Sequence, residues 1–378
     1  MIQIVALLSV FGLGISFSLL GALKLGIVKN LGIDDTKFGT LISALMFTSI
    51  FIVLAFGPIV DTFGYKPVAI IGFVLGFIAV YMLVNAKTYS TALISCIVLG
   101  VGAMCMNLGN TLIPMVLFEG NPTAASNFGN VFFGVGAFIT PLIAGALIGK
   151  MGFQKTGMVI AIILLAPVIF ALIATFPALE TTGVTLGTAI ASMFGLLASP
   201  AVIVSALALF CYIGLEASMG GWITTYLSSV GFAEKSANYV LSGFWIALMV
   251  ARLVMTAVIT PEIGSIIVVI LALLAVVSIG LMILASKQWI AGIAVLVTGF
   301  AFGPIFPTIV GVTFHKVGDP SLYGSAFGII FAVGLLGGTT IPAAIGIFSK
   351  GKTIQKSLSI AVVAALILFV IGIIMSAV

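Results

Sequence analysis

Charge is the scarcest property of this 378-residue chain. Its 14 Lys and Arg and 9 Asp and Glu make up 6% of the residues, where a soluble domain carries about 25%. That shortage excludes a soluble globular enzyme and a disordered protein. The formal net charge of +5 is spread over scattered lysines with no basic patch, so no nucleic-acid partner is expected. Histidine is limited to His315, which removes any His-based triad or multi-His metal site. No Walker-type phosphate loop is present, so direct use of ATP is not expected. No cofactor or metal is expected either. Cys96, Cys105 and Cys211 fall inside apolar runs, at spacings that fit neither a metal site nor a disulfide framework. They read as small packing residues.

What the chain has in excess is apolar length: 62% of it is hydrophobic. A membrane-spanning helix needs about 20 apolar residues, and the long unbroken runs exclude the short alternating strands of a membrane β-barrel. Cutting at polar and Gly/Pro punctuation leaves twelve runs: 3–27, 36–60, 67–86, 90–118, 123–149, 156–176, 200–227, 236–260, 264–285, 289–314, 321–348 and 354–377. The first begins at Ile2 with no basic leader and no small-residue cleavage site, and reads as a spanning helix rather than a cleaved signal. Asp34-Asp35-Thr36 places acids at the start of the second run. Asn121-Pro122 and Asp319-Pro320 open the fifth and eleventh, with Pro suited to a first helical turn.

The longest separator, 177–199, divides the runs six and six. The expected organisation is therefore an N-terminal bundle (1–176), a linker (177–199) and a C-terminal bundle (200–378). The linker's second part suits either an amphipathic surface helix or a partly ordered connection. The halves echo each other. A shift of about 200 places Gly14 on Gly214, Ser18 on Ser218, Gly21 on Gly221 and Asp61 on Glu262. A shift of 201 places Gly136, Pro141 and Gly145 on Gly337, Pro342 and Gly346. Duplication in a polytopic membrane protein points to two pseudo-symmetric bundles around a midplane site. The fold expected is all-α and integral to the membrane.

After the second run comes Gly57-Pro-Ile-Val-Asp61-Thr-Phe-Gly64-Tyr-Lys66-Pro. This resembles the loop 2–3 signature of the major facilitator superfamily, Gly-x-x-x-Asp-x-x-Gly-x-Lys/Arg. Gly57, Asp61, Gly64 and Lys66 match it, while two usual basic positions are Thr62 and Tyr65. The resemblance implies a gating latch in which the Asp meets a helix N-terminus and the Lys makes a breakable ion pair. The stretch Tyr212-Ile-Gly214-Leu-Glu216-Ala-Ser218-Met-Gly-Gly-Trp222-Ile-Thr-Thr-Tyr226 is similar to the seventh helix of that superfamily's fucose:proton symporter-like branch, which includes glucose/galactose permeases. Gly303-Pro304-Ile-Phe-Pro307-Thr308 resembles its tenth helix. Asn107-Leu-Gly-Asn110-Thr111 and Asn127…Asn130 with Phe132-Phe133-Gly134 resemble its fourth and fifth. The resemblance implies secondary active transport by alternating access: proton- or cation-coupled symport of a small polar solute, with a sugar expected. Drug or metabolite efflux, or a sensor that kept the fold, are the alternatives.

The polar residues inside the runs are the candidate site. Desolvation disfavours the charged form of a carboxylate, so Glu216, about 17 Å from the end of its helix, is a candidate proton carrier. A structural ion pair is the plainer reading. Arg252, the only Arg, lies on the next, antiparallel run. The two would offset each other's desolvation if they pair. Lys24 either snorkels to the headgroups or meets solute. Asn107 and Asn110, and Asn127 and Asn130, are three apart and so share helix faces. Their amides both donate and accept, which suits hydroxyl-rich solutes or, alternatively, bonds between helices. Trp222 and Trp245 are candidates to stack on a solute.

The lysines complicate orientation. Ten of them (Lys29, Lys37, Lys87, Lys150, Lys155, Lys235, Lys287, Lys350, Lys352 and Lys356) flank odd-to-even loops, and only Lys66 and Lys316 clearly flank the others. The positive-inside rule would put the ten in the cytoplasm. The signature implies the reverse, with both termini cytoplasmic in the cell (inner) membrane. The expected partners are the solute, its coupling ion and membrane lipid, around a monomer.

Overall fold

A computed structural model describes residues 1–118, 120–177, 191, 193–349 and 353–377. Most of the expected linker, 177–199, lies outside these residues, as does the side chain of Asp61. Among the described residues, twelve helices are long and apolar enough to cross a membrane. They are α1 (Ile2–Leu31), α2 (Lys37–Val60), α3 (Tyr65–Val84), α4 (Tyr89–Val116), α5 (Pro122–Met151), α6 (Phe153–Ile173), α7 (Pro200–Ser229), α8 (Tyr239–Val258), α9 (Pro261–Leu284), α10 (Gln288–Val317), α11 (Pro320–Phe348) and α12 (Ile354–Ala377). The shortest, α3, has 20 residues, which reaches about 30 Å at 1.5 Å per residue and matches the hydrocarbon core.

Several hydroxyls in these helices are satisfied locally, because hydrocarbon supplies no partners. The hydroxyls of Ser9, Ser16, Thr140 and Ser218 donate to the carbonyls four residues back, at 2.6–2.8 Å. The ends are set by caps. Asp34 accepts the Lys37 N–H at 2.8 Å, and Thr88 accepts that of Thr91 at 3.2 Å. Gly32, at φ 60°, closes α1 in the left-handed region.

Four spans are interrupted. α6 breaks at Ala166-Pro167, α10 at Gly303-Pro304 and α12 at Leu358. Proline lacks the N–H and crowds the preceding turn, which accounts for the first two. The α4 break at Asn107-Leu108 has no proline. There the backbone tightens to three-residue spacing, with Asn110 N–H bonded to the Asn107 carbonyl at 3.0 Å and Thr111 N–H to the Leu108 carbonyl at 3.1 Å.

The helices gather into two compact units. The first comprises Met1–Glu119, Gly129–Phe194 and Ser321–Gly328; the second comprises Gly120–Phe128, Gly195–Pro320 and Ile329–Val378. The first turns of α5 therefore pack within the second unit, and those of α11 within the first. The repeated glycines make the same crossing in each unit. In the first, a Cβ on Gly14 would collide with the Phe133 carbonyl and one on Gly136 with the Phe11 carbonyl, so α1 and α5 touch backbone to backbone. In the second, Gly337 meets the Phe210 carbonyl and Gly214 faces Ile341 and the Gly337 carbonyl, which brings α7 onto α11 in the same way. Small residues at such crossings allow close helix approach where lipid gives no hydrophobic drive.

Candidate functional site

The second unit brings a carboxyl and a guanidinium together inside the spans, where a lone charge would be costly. Arg252 Nη2 on α8 stands 3.7 Å from Glu216 Oε1 on α7. Arg252 is 4% exposed and Glu216 25% exposed, so the carboxyl is the open side of the pair. Tyr212, one helical turn before Glu216, donates its phenol O–H to the same Oε1 at 2.9 Å. Its ring is held edge-on by Phe302 at 5.9 Å and lies 6.2 Å from Phe306.

Arg252 is itself anchored to the break in α10. Its Nε donates to the Gly303 carbonyl at 2.8 Å. In an unbroken helix that carbonyl would accept the N–H of residue 307, which here is Pro307. Proline has no N–H to give, and the guanidinium supplies the missing donor. Gly303 has no Cβ, and one there would collide with the Leu248 carbonyl, so α10 lies directly against α8. The carboxyl thus sits between a neutral donor and a cation that also grips a broken helix.

Trp245 packs edge-on against Phe244 at 5.1 Å. Its ring edge covers Gly220, one turn along α7 from Glu216. Trp222 is half-buried, with its ring edge near Gly346 of α11.

In the first unit, three of the four singled-out amides form a relay. Asn130 Nδ2 donates to Asn110 Oδ1 at 3.3 Å, and Asn110 Nδ2 donates to Asn107 Oδ1 at 2.7 Å. All three are buried, and the relay ties α5 to the broken part of α4. Asn127 does not join them. Its amide lies in the second unit, donating to Thr308 Oγ1 of α10 at 3.1 Å and to the Thr123 carbonyl at 3.0 Å. Its Oδ1 is buried without a hydrogen-bond partner among the described residues. Gly311 permits this packing, because a Cβ there would collide with Thr123 Cα.

Lys24 of α1 places its ammonium 5.5 Å from the centre of the Phe38 ring on α2. Of the latch residues, Gly57 is pressed against Ser325 at the start of α11, within the first unit. Gly64 takes φ 78° between α2 and α3, a backbone that favours glycine. Lys66 Nζ donates to the Leu172 carbonyl at 2.7 Å and the Ala174 carbonyl at 3.4 Å, meeting the negative end of the α6 dipole. Asp61 lies on the same helix-ending segment, with its side chain outside the described residues. Sequence reasoning missed Tyr212, the Gly303 carbonyl and Thr308. The signal for the second was Pro307, four residues beyond Gly303.

Comparison with known proteins gives consistent results. The sequence profile described as Major Facilitator Superfamily matches residues 5–342. A curated relative, "Protein TsgA homolog" of Erwinia tasmaniensis, is 30% identical over 193 residues, 50% of this chain and 48% of that protein. The chain thus spans about half the length of that relative. The "Glucose/galactose transporter" of Brucella abortus is 24% identical over 333 residues, covering 80% of this chain and 76% of the other. Among solved structures, FucP in an outward conformation superposes with a TM-score of 0.81 at 19% identity, covering 98% of this chain and 97% of FucP. A second structure of that protein, the E. coli fucose:proton symporter, gives 0.79 at 18% identity over 99% of both chains. At these identities the structures establish the likeness of fold.

Proposed function

We propose that this chain, which belongs to the Major Facilitator Superfamily, imports a small polar solute by proton-coupled symport, with a sugar as its cargo. It is an integral membrane protein of twelve spanning helices. In this reading two six-helix bundles, 1–176 and 200–378, alternate access to a central site. Both termini face the cytoplasm across the inner membrane, as the loop 2–3 signature implies. The relatives that carry a sugar in their names, the Brucella glucose/galactose transporter and the E. coli fucose:proton symporter, support the solute class.

The observation that carries the proposal is the position of Glu216, 3.7 Å from Arg252 and 2.9 Å from the Tyr212 hydroxyl inside a spanning helix. Charged, the carboxylate holds Arg252. Protonated, it keeps Tyr212 nearby and releases the guanidinium, which still holds the Gly303 carbonyl at the α10 break. Proton binding is thereby linked to a cation that touches both α7 and a helix built to bend. The Asn107–Asn110–Asn130 amides present donors and acceptors that hydroxyl groups of a solute replace, and Trp222 and Trp245 provide stacking faces. Lys24 lines the solute path, and Gly57, Asp61, Gly64 and Lys66 form the gate.

The test is uptake into proteoliposomes with an imposed inward proton gradient. Wild-type protein should accumulate solute above the external concentration, while Glu216→Gln should only equilibrate it. Accumulation by Glu216→Gln equal to wild type removes Glu216 from the coupling role.

A further inference from the structure

Charge is unevenly placed in this chain. Among the described residues, Lys24, Glu216 and Arg252 are the only charged side chains deeper than the terminal turn of a span. One deep acid thus stands against two deep cations. The loops are sorted as well. Those joining odd to even helices hold ten lysines against Asp34, Asp35 and Glu234, a formal net of +7. The opposite side holds Lys66 and Lys316 against Asp61, Glu119, Glu180, Glu262 and Asp319, a net of −3.

Resting on the symport reading above, we propose that the solute is a sugar acid whose carboxylate replaces Glu216 at the Arg252 guanidinium when Glu216 takes up the proton. Arg252 is held for this exchange. Its Nε is committed to the Gly303 carbonyl at 2.8 Å, which turns Nη2 toward Glu216 at 3.7 Å. The planar fork of a guanidinium matches a carboxylate better than any other side-chain cation does. Arg252 is 4% and Glu216 25% exposed, so a solute reaches the pair from its carboxyl side. If Glu216 is protonated and the solute is neutral, Arg252 loses its counter-charge in the low dielectric of a span. A solute carboxylate restores it. If the carboxylate arrives while Glu216 is still charged, two anions compete for one cation. Proton and anion therefore each bind better in the other's presence, a linkage that is reciprocal by necessity. The net charge of the three deep groups is +1. Binding a proton and a monoanion keeps it there, whereas binding a proton and a neutral sugar adds a second uncompensated charge. With both termini in the cytoplasm, the +7 side is the outer one, where a cationic surface concentrates anions ahead of entry.

Proteoliposomes of the full chain with an inward proton gradient test this with glucuronate and galacturonate against glucose and galactose, which differ from the acids only at the sixth carbon. The acids should accumulate, and the neutral sugars should not compete with them. Uptake should carry no current on a supported membrane, because one proton enters with one anion, while the external pH rises. Glu216→Gln copies the protonated carboxyl. At alkaline pH it should bind glucuronate about ten- to a hundredfold tighter than wild type, the span usual for coupled sites, read by calorimetry in detergent. The double variant Glu216→Gln/Arg252→Met, which strands no charge, should lose that binding. Proton-driven accumulation of glucose or galactose that neither acid inhibits overturns the sugar acid and leaves proton–sugar symport standing. Failure of both classes to accumulate overturns both readings. Current during glucuronate uptake, or Glu216→Gln binding glucuronate no tighter than wild type at alkaline pH, overturns the exchange at Arg252.

Discussion

Replacing Arg252 by Met removes two interactions at once and leaves two groups stranded. Glu216 loses the cation at 3.7 Å, and the Gly303 carbonyl loses the guanidinium donor that offsets Pro307. Breaking a buried pair from one side costs about 3–5 kcal/mol, and an unsatisfied buried carbonyl about 1–3 kcal/mol. These do not add fully, because Glu216 is 25% exposed and water screens part of its charge. A net loss of about 3–5 kcal/mol follows, on the order of 10 °C at roughly 2–4 °C per kcal/mol. The informative comparison is the double variant Glu216→Gln/Arg252→Met. It has no stranded charge, and its amide still accepts the Tyr212 hydroxyl. It should therefore recover about 1–3 kcal/mol of the loss, a coupling of the size found for residues in direct contact. Thermal unfolding in detergent, with the four members of the cycle measured together, gives the answer. A double variant no more stable than Arg252→Met alone would refute the reasoning, as would Arg252→Met melting with wild type.

Three further outcomes follow from the packing. Gly136→Val drives a side chain into the Phe11 carbonyl and Gly337→Val into the Phe210 carbonyl; each should lower the melting temperature by an amount corresponding to at least about 1–3 kcal/mol. Gly145→Val, which meets nothing within 4 Å, should not. Asn110→Leu takes the donor from Asn107 and an acceptor from Asn130, and should cost about 1–3 kcal/mol, read by the same melt. Single-cysteine variants test the orientation. Lys66→Cys should react with an impermeant thiol reagent only from the cytoplasmic side, and Lys87→Cys only from the other; the reverse pattern would make the lysine count the better guide.

The twelve spans were legible because bilayer thickness imposes a run length that little else in a chain imitates. Their ends were less so. The runs 67–86 and 289–314 stop or start at polar letters, whereas the helices run Tyr65–Val84 and Gln288–Val317, because Lys66 and Gln288 find backbone carbonyls to bond. The interruption at Asn107-Leu108 had no proline to announce it. Glu216 and Arg252 were conspicuous because ionisable residues are rare inside these runs. Tyr212 was not, since a tyrosine in an apolar helix looks like core until its hydroxyl is seen to meet a carboxylate. The spacing of Asn127 and Asn130 put them on one face, yet their amides turn to different units. Spacing fixes where a side chain leaves its helix and says nothing about which neighbour it reaches. For Lys66 the signature implies an ion pair; its ammonium bonds the carbonyls that end α6, and the Asp61 side chain that would test the pair lies outside the described residues.

Proton movement driven by solute tests the central claim most directly. Proteoliposomes in weakly buffered medium with no imposed gradient should show the external pH rise when solute is added, in step with solute entry, and the rise should vanish in Glu216→Gln. Solute entry with no change in external pH would contradict proton coupling in this protein.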